Sequence, residues 1–317
     1  MTWPHAAQTA AVSIDPAGLG ATLYVPATHS ELLSIATGTK YPHLRSLVVC
    51  LEDAVHSRDL EVALANLSAL LERLGAARAA RPGGPAVFVR PRHAAMLHAI
   101  GRLPGAGSLD GFVIPKATAA ALPDYLDALA FAHHLVLPTL ETREAFDPAE
   151  MRQLRDRLLP ISGRVLTIRI GGNDLLQTLG TRRSATRTAY DGPLGAIIAN
   201  LVASFVPWGF AMSAPVFESY ADSDLLAEEV ERDLEHGLLT KSAIHPSQVA
   251  VIHHAYRVAE TDLTTADAML AADAPAIFAA GGMMCEPSTH RGWAAATLRR
   301  AALFGIARGE TTLALVG

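Results

Sequence analysis

The sequence has little cysteine, few charged residues and no long apolar run. Two of its 317 residues are cysteine, 18% are charged and 6% are aromatic. Two isolated cysteines, Cys50 and Cys285, make neither a disulfide framework nor a zinc site, and we expect both to be reduced. No run approaches the ~20 apolar residues of a membrane span, and the N-terminal stretch has no basic segment followed by an apolar one. We therefore expect a cytoplasmic protein with no membrane partner.

The charge balance gives no reason to expect a polyanionic partner. The formal net charge is -5 and the pI is near 6.2, so we predict no binding to nucleic acid. Arg182, Arg183 and Arg187 form a local basic cluster. These arginines are expected either to hold one anionic ligand, such as one that carries phosphates, or to form a solvated surface.

Short β-rich runs alternate with amphipathic segments along most of the chain, and half of the residues are hydrophobic. Eight strands separated by helices predict an α/β fold of the (β/α)8 TIM-barrel type. We place the barrel at residues 1–250 and a C-terminal helical extension at 251–317. The predicted strands are 22–28, 46–55, 86–92, 111–117, 134–142, 165–174, 209–216 and 240–246.

Most of these runs finish on a polar group. In a β/α barrel the carboxyl ends of the strands converge on one face, where the loops build a single active site. Taken one at a time, such residues are also ordinary at strand ends and in loops. The polar groups at the ends of the runs are Glu52 with Asp53, Arg90, Lys116, Glu141, Asp174 and His245.

Glu141 and Asp174 are the candidate metal ligands. Buried carboxylates need a cationic partner, and Mg2+ takes few protein carboxylates while keeping its other positions for water or ligand. A bidentate keto acid suits such a metal, which would stabilise the enolate formed when a neighbouring carbon–carbon bond breaks. Mn2+ is the alternative ion. In the competing interpretation, each acid forms a salt bridge with Arg143 or Arg169.

Four further residues are candidates for the catalytic groups. Arg90 can hold a substrate carboxylate in bidentate fashion. Glu52 and Asp53 are expected to orient Arg90 and Lys116 or to hydrogen-bond metal-bound water. A structural ion pair between Glu52–Asp53 and Lys116 remains the alternative, and we expect Lys116 to act electrostatically rather than as a nucleophile.

Glycines precede Asp174 in the segment Gly171-Gly172-Asn173. Glycine allows either a tight turn or close approach of the backbone to a ligand. Gly172 and Asn173 are therefore candidate substrate-binding residues. The segment matches neither a dinucleotide fingerprint nor a P-loop.

Taken in order, six motifs resemble the citrate lyase β-subunit-like proteins of the HpcH/HpaI aldolase superfamily. They are LEDAV (51–55), the strand-end Arg90, IPKA (114–117), LPTLET (137–142), GGNDL (171–175) and TKSAIHPSQV (240–249). The resemblance spans roughly residues 22–250. It implies a TIM barrel with Mg2+ on Glu141 and Asp174, and Arg90 on the substrate carboxylate. It also implies a lyase or aldolase for keto acids or acyl-CoA thioesters, assembled as a trimer or hexamer, with the tail packed on a neighbouring subunit.

The chain departs from this family at two places. Pro91-Arg92-His93 follows Arg90, where the family has an apolar residue and asparagine. Met283-Met284-Cys285-Glu286-Pro287 places cysteine where malyl-CoA-type relatives carry an acid/base aspartate.

These features lead to a Mg2+-dependent carbon–carbon lyase with an unassigned general base as the main hypothesis. A keto-acid or acyl-CoA binding protein with impaired catalysis is the alternative. Phosphoenolpyruvate-type phosphoryl transfer is a third hypothesis, which no phosphohistidine or nucleotide motif in the sequence supports.

Overall fold

The computed structural model describes residues 14–80 and 82–307, and the chain divides after Ile252 into two compact units. Each unit is described by itself. The predicted ranges 1–250 and 251–317 also include residues 1–13 and 308–317, which lie outside the described residues. Within the described ranges, no helix is both long enough and apolar enough to cross a membrane.

The first unit is a parallel eight-stranded barrel, which confirms the predicted fold class. The strands pair in the order β7-β6-β5-β4-β3-β2-β1-β8, and a parallel bridge between Ala214 and Lys241 joins the end of β7 to β8. The strands are β1 (Ala21–Pro26), β2 (Ser46–Cys50), β3 (Ala86–Arg90), β4 (Gly111–Ile114), β5 (Leu135–Leu140), β6 (Ile168–Ile170), β7 (Met212–Ser213) and β8 (Lys241–Ala243).

Helices follow the strands and cover the outside of the sheet. In the longest of them, α2, the buried residues Ala63, Leu67, Leu70 and Leu74 recur at helical spacing and form one apolar stripe. The helices of this unit are α1 (Leu32–Ala36), α2 (Leu60–Ala80), α3 (Ala94–Gly101), α4 (Leu122–Asp127), α5 (Pro148–Leu158), α6 (Gly172–Thr178), α7 (Pro193–Phe205) and α8 (Ser223–Glu235), while α9 (Pro246–Ala255) follows β8.

Alternation along the strands separates an apolar layer from a polar one inside the barrel. Val48, Phe88 and Leu137 belong to a buried core cluster with Leu19. Because side chains alternate between the faces of a strand, the residues two positions later point to the same interior. Those residues are Cys50, Arg90 and Thr139. The apolar layer therefore closes the barrel below a polar layer near the carboxyl ends of the strands.

The predicted run 165–174 is wrong in its second half. Strand β6 ends at Ile170, and Gly171 caps the start of α6, so Asp174 lies in the first turn of a helix. The Gly-Gly pair lets the chain turn away from the barrel directly after the strand. A carboxylate in the first turn of a helix is also favoured by the exposed N–H groups there.

The second unit is small and built around two helices. Strand β9 (Val258–Ala259) precedes α10 (Glu260–Leu270), the antiparallel strands β10 (Phe278–Ala280) and β11 (Met283–Cys285) form a hairpin, and α11 (Pro287–Phe304) leads to β12 (Ile306–Ala307), which pairs with β9. Gly281 and Gly282 make the hairpin turn with φ of 58° and 77°.

Candidate active site

A cavity of about 510 Å³ opens at the carboxyl ends of the barrel strands. It contains most of the residues that the sequence predicted for the site, because parallel strands bring their ends to one face. Its charged, polar and glycine lining includes Tyr24, Glu52, Asp53, Arg90, Thr139, Glu141, Arg169, Gly172, Asn173, Asp174 and Ser242.

Arg90, the last residue of β3, joins two of the predicted carboxylates. Its Nη2 lies 2.9 Å and 3.1 Å from the two carboxylate oxygens of Glu141 and 2.8 Å from Oε2 of Glu52. Burial alone would lower the pKa of Arg90, but Glu141 and its other anionic neighbours raise it. The guanidinium therefore stays charged and fixes both carboxylates against the wall of the cavity.

Lys116 holds the same two acids from another side. Its backbone N–H donates to Oε1 of Glu141 at 2.7 Å, and its Nζ pairs with Glu52 and lies 3.8 Å from Oδ2 of Asp53. The predicted ion pair between Lys116 and the Glu52–Asp53 segment is therefore present. Lys116 has a φ of 49°, an unfavourable left-handed conformation for a residue with a side chain. This backbone geometry lets one residue contact Glu141 and Glu52 at once.

Glu141 is buried and follows directly after β5. Burial raises its pKa to about 7, against the opposing effects of Arg90 and the Lys116 N–H, while Asp174 raises it further. The two candidate metal ligands line the same cavity. Asp174 is half-buried and forms no ion pair among residues 14–80 and 82–307.

The close approach of the backbone to Glu141 depends on a glycine. A Cβ built on Gly171 would lie 2.4 Å from Cβ and 2.6 Å from Oε2 of Glu141, which is closer than atoms can pack. Oε2 of Glu141 therefore lies against the turn that leads into α6 and Asp174. A cation between the two carboxylates would relieve both the burial of Glu141 and its repulsion from Asp174.

The donor set fits a hard divalent cation with few protein ligands. No cluster of three or more histidine, cysteine, aspartate or glutamate side chains in the described part of the chain is arranged to hold a metal. Two carboxylates with open positions for water and substrate are the set that Mg2+ commonly takes. Glu141 and Asp174 are the residues that would hold it.

Gly172 and Asn173 both line the cavity, but they differ in their surroundings. Gly172 is buried, and a Cβ there would lie 2.9 Å from Pro215 and 3.0 Å from Leu194, so its missing side chain serves packing. Asn173 is exposed at the cavity. Both remain candidates for substrate contact.

Other predicted residues lie elsewhere or have different partners. Arg183, expected to meet phosphates or solvent, instead pairs with the buried Glu229 and donates to the carbonyl of Val216 at 2.7 Å. Arg92 donates to the carbonyls of Leu51 and Val55, and so fixes the loop after β2. His245, at the end of the last predicted strand run, is exposed and stacks on Tyr220.

Several cavity residues were not singled out as functional, including a tyrosine, a threonine, an arginine and a serine on the strands. Tyr24, Thr139 and Arg169 lie on β1, β5 and β6, and Ser242 lies on β8. Alternation would have found one of them, because Thr139 precedes Glu141 by two residues and faces the same side. The other three belong to strands whose interior face is not fixed by a recognised catalytic residue.

A closed β/α barrel with a polar cavity at its strand ends is the architecture of barrel enzymes. The chain belongs to the family of carbon–carbon bond lyases of the TIM-barrel fold, whose family model matches residues 13–306. The family match confirms the resemblance found in the motifs. A search of curated proteins found no match.

Solved structures share the fold at low sequence identity. The CitE protein of Mycobacterium tuberculosis, in complex with magnesium, acetoacetate and coenzyme A, is 23% identical with a TM-score of 0.63, and the alignment covers 89% of this chain and 98% of that one. RipC from Yersinia pestis is 20% identical with a TM-score of 0.57, covering 76% and 96%. A citrate lyase β subunit from M. tuberculosis with oxaloacetate and magnesium is 21% identical with a TM-score of 0.53, covering 76% and 99%.

Proposed function

We propose that this protein is a Mg2+-dependent carbon–carbon lyase or aldolase acting on a carboxylate-bearing keto acid or acyl-CoA thioester. The observation that carries the proposal is the placement of Glu141 and Asp174 on one cavity that Arg90 also lines. Family membership supports the reaction class. The magnesium, keto acids and coenzyme A in complexes of structural neighbours support the ligands.

The side chains divide into those that bind and those that position. Glu141 and Asp174 would hold the metal, with Mn2+ as an alternative to Mg2+. When bound, the metal polarises a carbonyl next to the scissile bond and stabilises the negative charge that develops there. Arg90 would anchor the substrate carboxylate, and its Nε has no hydrogen-bond partner within the described residues.

Glu52, Asp53 and Lys116 would keep Arg90 and Glu141 in place. Burial would raise the pKa of Glu52, but Arg90 and Lys116 hold it below its ordinary value, so it stays an anion. Burial and the neighbouring Glu52 raise the pKa of Asp53, which makes Asp53 the better proton donor of the pair. Gly172 and Asn173 would contact the substrate at the start of α6.

One observation favours the alternative of a binding protein with impaired catalysis. Cys285, at the position of the acid/base aspartate in malyl-CoA-type relatives, is a free thiol. It is packed in a small apolar cluster with Ala266, Met269 and Ala294. A thiol packed among apolar side chains is a poor acid or base.

We further propose a cytoplasmic homotrimer or homohexamer, with the second unit packing on a neighbouring copy. Supporting this assembly, the second unit exposes Ile277, Met283, Met284 and Trp293, each more than two-fifths exposed. Apolar side chains concentrated in this way favour a protein interface. Light scattering of the purified protein tests the assembly, and a monomeric mass would contradict it.

Calorimetric titration of the purified protein with Mg2+ and pyruvate or oxaloacetate tests the central proposal. We expect keto-acid binding that requires Mg2+, and a loss of more than about tenfold in apparent affinity for Glu141→Gln and for Asp174→Asn. Glu144→Gln and Asp156→Asn are matched controls outside the cavity and should behave like the parent. Metal-independent binding, or binding unaffected by Glu141→Gln, would contradict the proposal.

Product analysis separates the two candidate functions. Incubation with Mg2+ and a panel of hydroxy acids and acyl-CoA thioesters should release a keto acid if the protein is a lyase. Binding without any product across the panel would favour the impaired binding protein.

A further inference from the structure

We propose that the cavity contains a second anion subsite, made by Arg169, Thr139 and Ser242, which selects a keto acid with a second carboxylate. The inference rests on the proposed function for the position of the keto-acid end. It concerns the part of the cavity lined from β5, β6 and β8, whereas Arg90 lies on β3.

The three residues are neighbours within the barrel. Thr139 of β5 and Arg169 of β6 are direct partners in the parallel register. Nη2 of Arg169 donates to the Ser242 hydroxyl of β8 at 2.6 Å. All three line the cavity. Because Thr139 precedes Glu141 by two residues, it lies on the same face one layer deeper.

The Thr139 hydroxyl is the strongest sign that this wall receives a ligand. Thr139 is 3% exposed, and its Oγ1 has no hydrogen-bond partner in the described ranges of the chain. A buried hydroxyl without a partner is unfavourable, so an oxygen of a bound ligand would stabilise it. Ser242 accepts a hydrogen bond from Arg169 and can still donate its own proton. A guanidinium with two hydroxyl donors suits a carboxylate.

Two cationic groups thus act on the cavity from separate walls. Arg90 and Arg169 stand on β3 and β6, three strands apart, with β5 and its Glu141 between them. Both act electrostatically on Tyr24: burial raises the pKa of its phenol, and Arg169 and Arg90 lower it. The guanidinium carbon of Arg169 lies 5.2 Å from the Tyr24 ring centroid. A ligand that spans this space meets a cation at each end, which favours a dicarboxylate.

Matched ligand pairs test the subsite. With Mg2+ present, oxaloacetate is compared with 2-oxobutyrate, and 2-oxoglutarate with 2-oxopentanoate, because the members of each pair differ in the terminal carboxylate. We expect the parent protein to bind the dicarboxylate roughly tenfold or more tightly, as a charge-assisted hydrogen bond provides. Arg169→Gln should abolish this preference, so that the two members of each pair bind with similar affinity.

A second variant guards against a purely structural effect of Arg169. Thr139→Val keeps the shape of the side chain and removes a hydroxyl that has no protein partner, so the midpoint of urea unfolding should not fall. We expect it to lower dicarboxylate affinity by about two- to tenfold. Thr167→Val, another buried threonine, whose hydroxyl donates to the carbonyl of Ala211, is the control and should keep the preference.

The outcomes separate this inference from the proposed function. Equal Mg2+-dependent binding of both members of each pair, or a preference retained in Arg169→Gln and Thr139→Val, would overturn the subsite alone. Succinate and butyrate titrated in EDTA probe the subsite without metal. If no keto acid binds but succinate binds through Arg169, the subsite stands and the proposed function falls. If neither binds, both fall.

Discussion

Two charged clusters in the barrel unit differ in burial, in balance and in access. The mouth cluster comprises Arg90, Lys116, Glu52, Asp53, Glu141 and Asp174, and most of its members line the cavity. The α8 cluster comprises Lys241, Arg183, Glu229 and Asp233. The α8 cluster has as many acids as cations, whereas the mouth cluster has four acids for two cations. The excess of acid where the cavity opens is what a divalent cation would neutralise.

Burial raises the pKa of one carboxyl group in each cluster, Asp233 and Glu141, whereas ion pairs hold the pKa of Glu229 below its ordinary value. In the α8 cluster, burial would raise the pKa of Glu229, but Lys241 and Arg183 hold it below its ordinary value. Lys241 also lies 2.8 Å from Asp233, which accepts from the Tyr190 hydroxyl at 2.6 Å. In the mouth cluster, burial outweighs the effect of Arg90 and raises the pKa of Glu141 to about 7. The cations of the α8 cluster outweigh the burial of Glu229, whereas Arg90 and the Lys116 N–H do not outweigh the burial of Glu141.

The largest expected effect is the loss of the fully buried Lys241. Lys241→Met leaves two buried carboxylates without their shared cation, and we expect a loss of about 3–5 kcal/mol in the free energy of unfolding. Urea denaturation followed by circular dichroism measures it. A loss below about 1 kcal/mol would mean that the α8 cluster is not the balanced structural unit described above.

The next largest effect should be the contribution of Glu229 to the pH dependence of the free energy of unfolding. Its pKa is depressed in the folded protein, so its contribution is present above the unfolded value near 4.5 and is lost as pH falls through the folded value. The stability difference between the parent and Glu229→Gln should be largest at neutral pH and shrink below about pH 4.5. Denaturation between pH 3.5 and 7 measures this difference. A stability difference that grows on acidification would contradict the lowered pKa of Glu229.

Gly171 tests the geometry of the mouth cluster. An added Cβ would overlap Glu141, so Gly171→Ala should displace that carboxylate, lower the apparent Mg2+ affinity, and cost about 1–3 kcal/mol of stability. Gly163→Ala is the matched control, because a Cβ there meets nothing within 4 Å. Calorimetry with Mg2+ and urea denaturation provide the two measurements. Unchanged Mg2+ affinity in Gly171→Ala would contradict the assignment of Glu141 as a metal ligand.

The smallest effect should follow removal of Lys116. Its side chain is 50% exposed, so Lys116→Met should change stability by no more than about 1 kcal/mol. Comparison with Lys241→Met by the same denaturation assay gives the contrast between the two lysines. Equal losses of unfolding free energy in the two variants would contradict the proposed difference between the clusters.

Much of the architecture could be predicted from local patterns. Every predicted strand run contains a strand, because apolar runs separated by amphipathic helices suit a parallel sheet covered on both faces. The mouth cluster followed from polar residues at strand ends. The bounds of two strands were predicted less accurately, because β6 and β7 have only three and two residues and the chain around them is fixed by neighbouring strands.

The α8 cluster could not be predicted in this way. Lys241 and Ser242 are adjacent on β8, but alternation sends one side chain outward beneath α8 and the other into the cavity. The sequence shows no sign of which residue takes which side. For the same reason, the sequence did not identify Arg169 as a cavity residue. Its position depends on contacts with β1 and β8 rather than on a motif.

The apolar layer of Leu19, Val48, Phe88 and Leu137 has a consequence for the order of events in a reaction cycle. Since it fills the barrel interior below the cavity, a molecule that enters the cavity cannot pass through the barrel. A cleavage reaction there would release the fragment nearer the opening first and the fragment beside Thr139 last. The deeper fragment should then compete with the next substrate molecule, whereas the outer one should not.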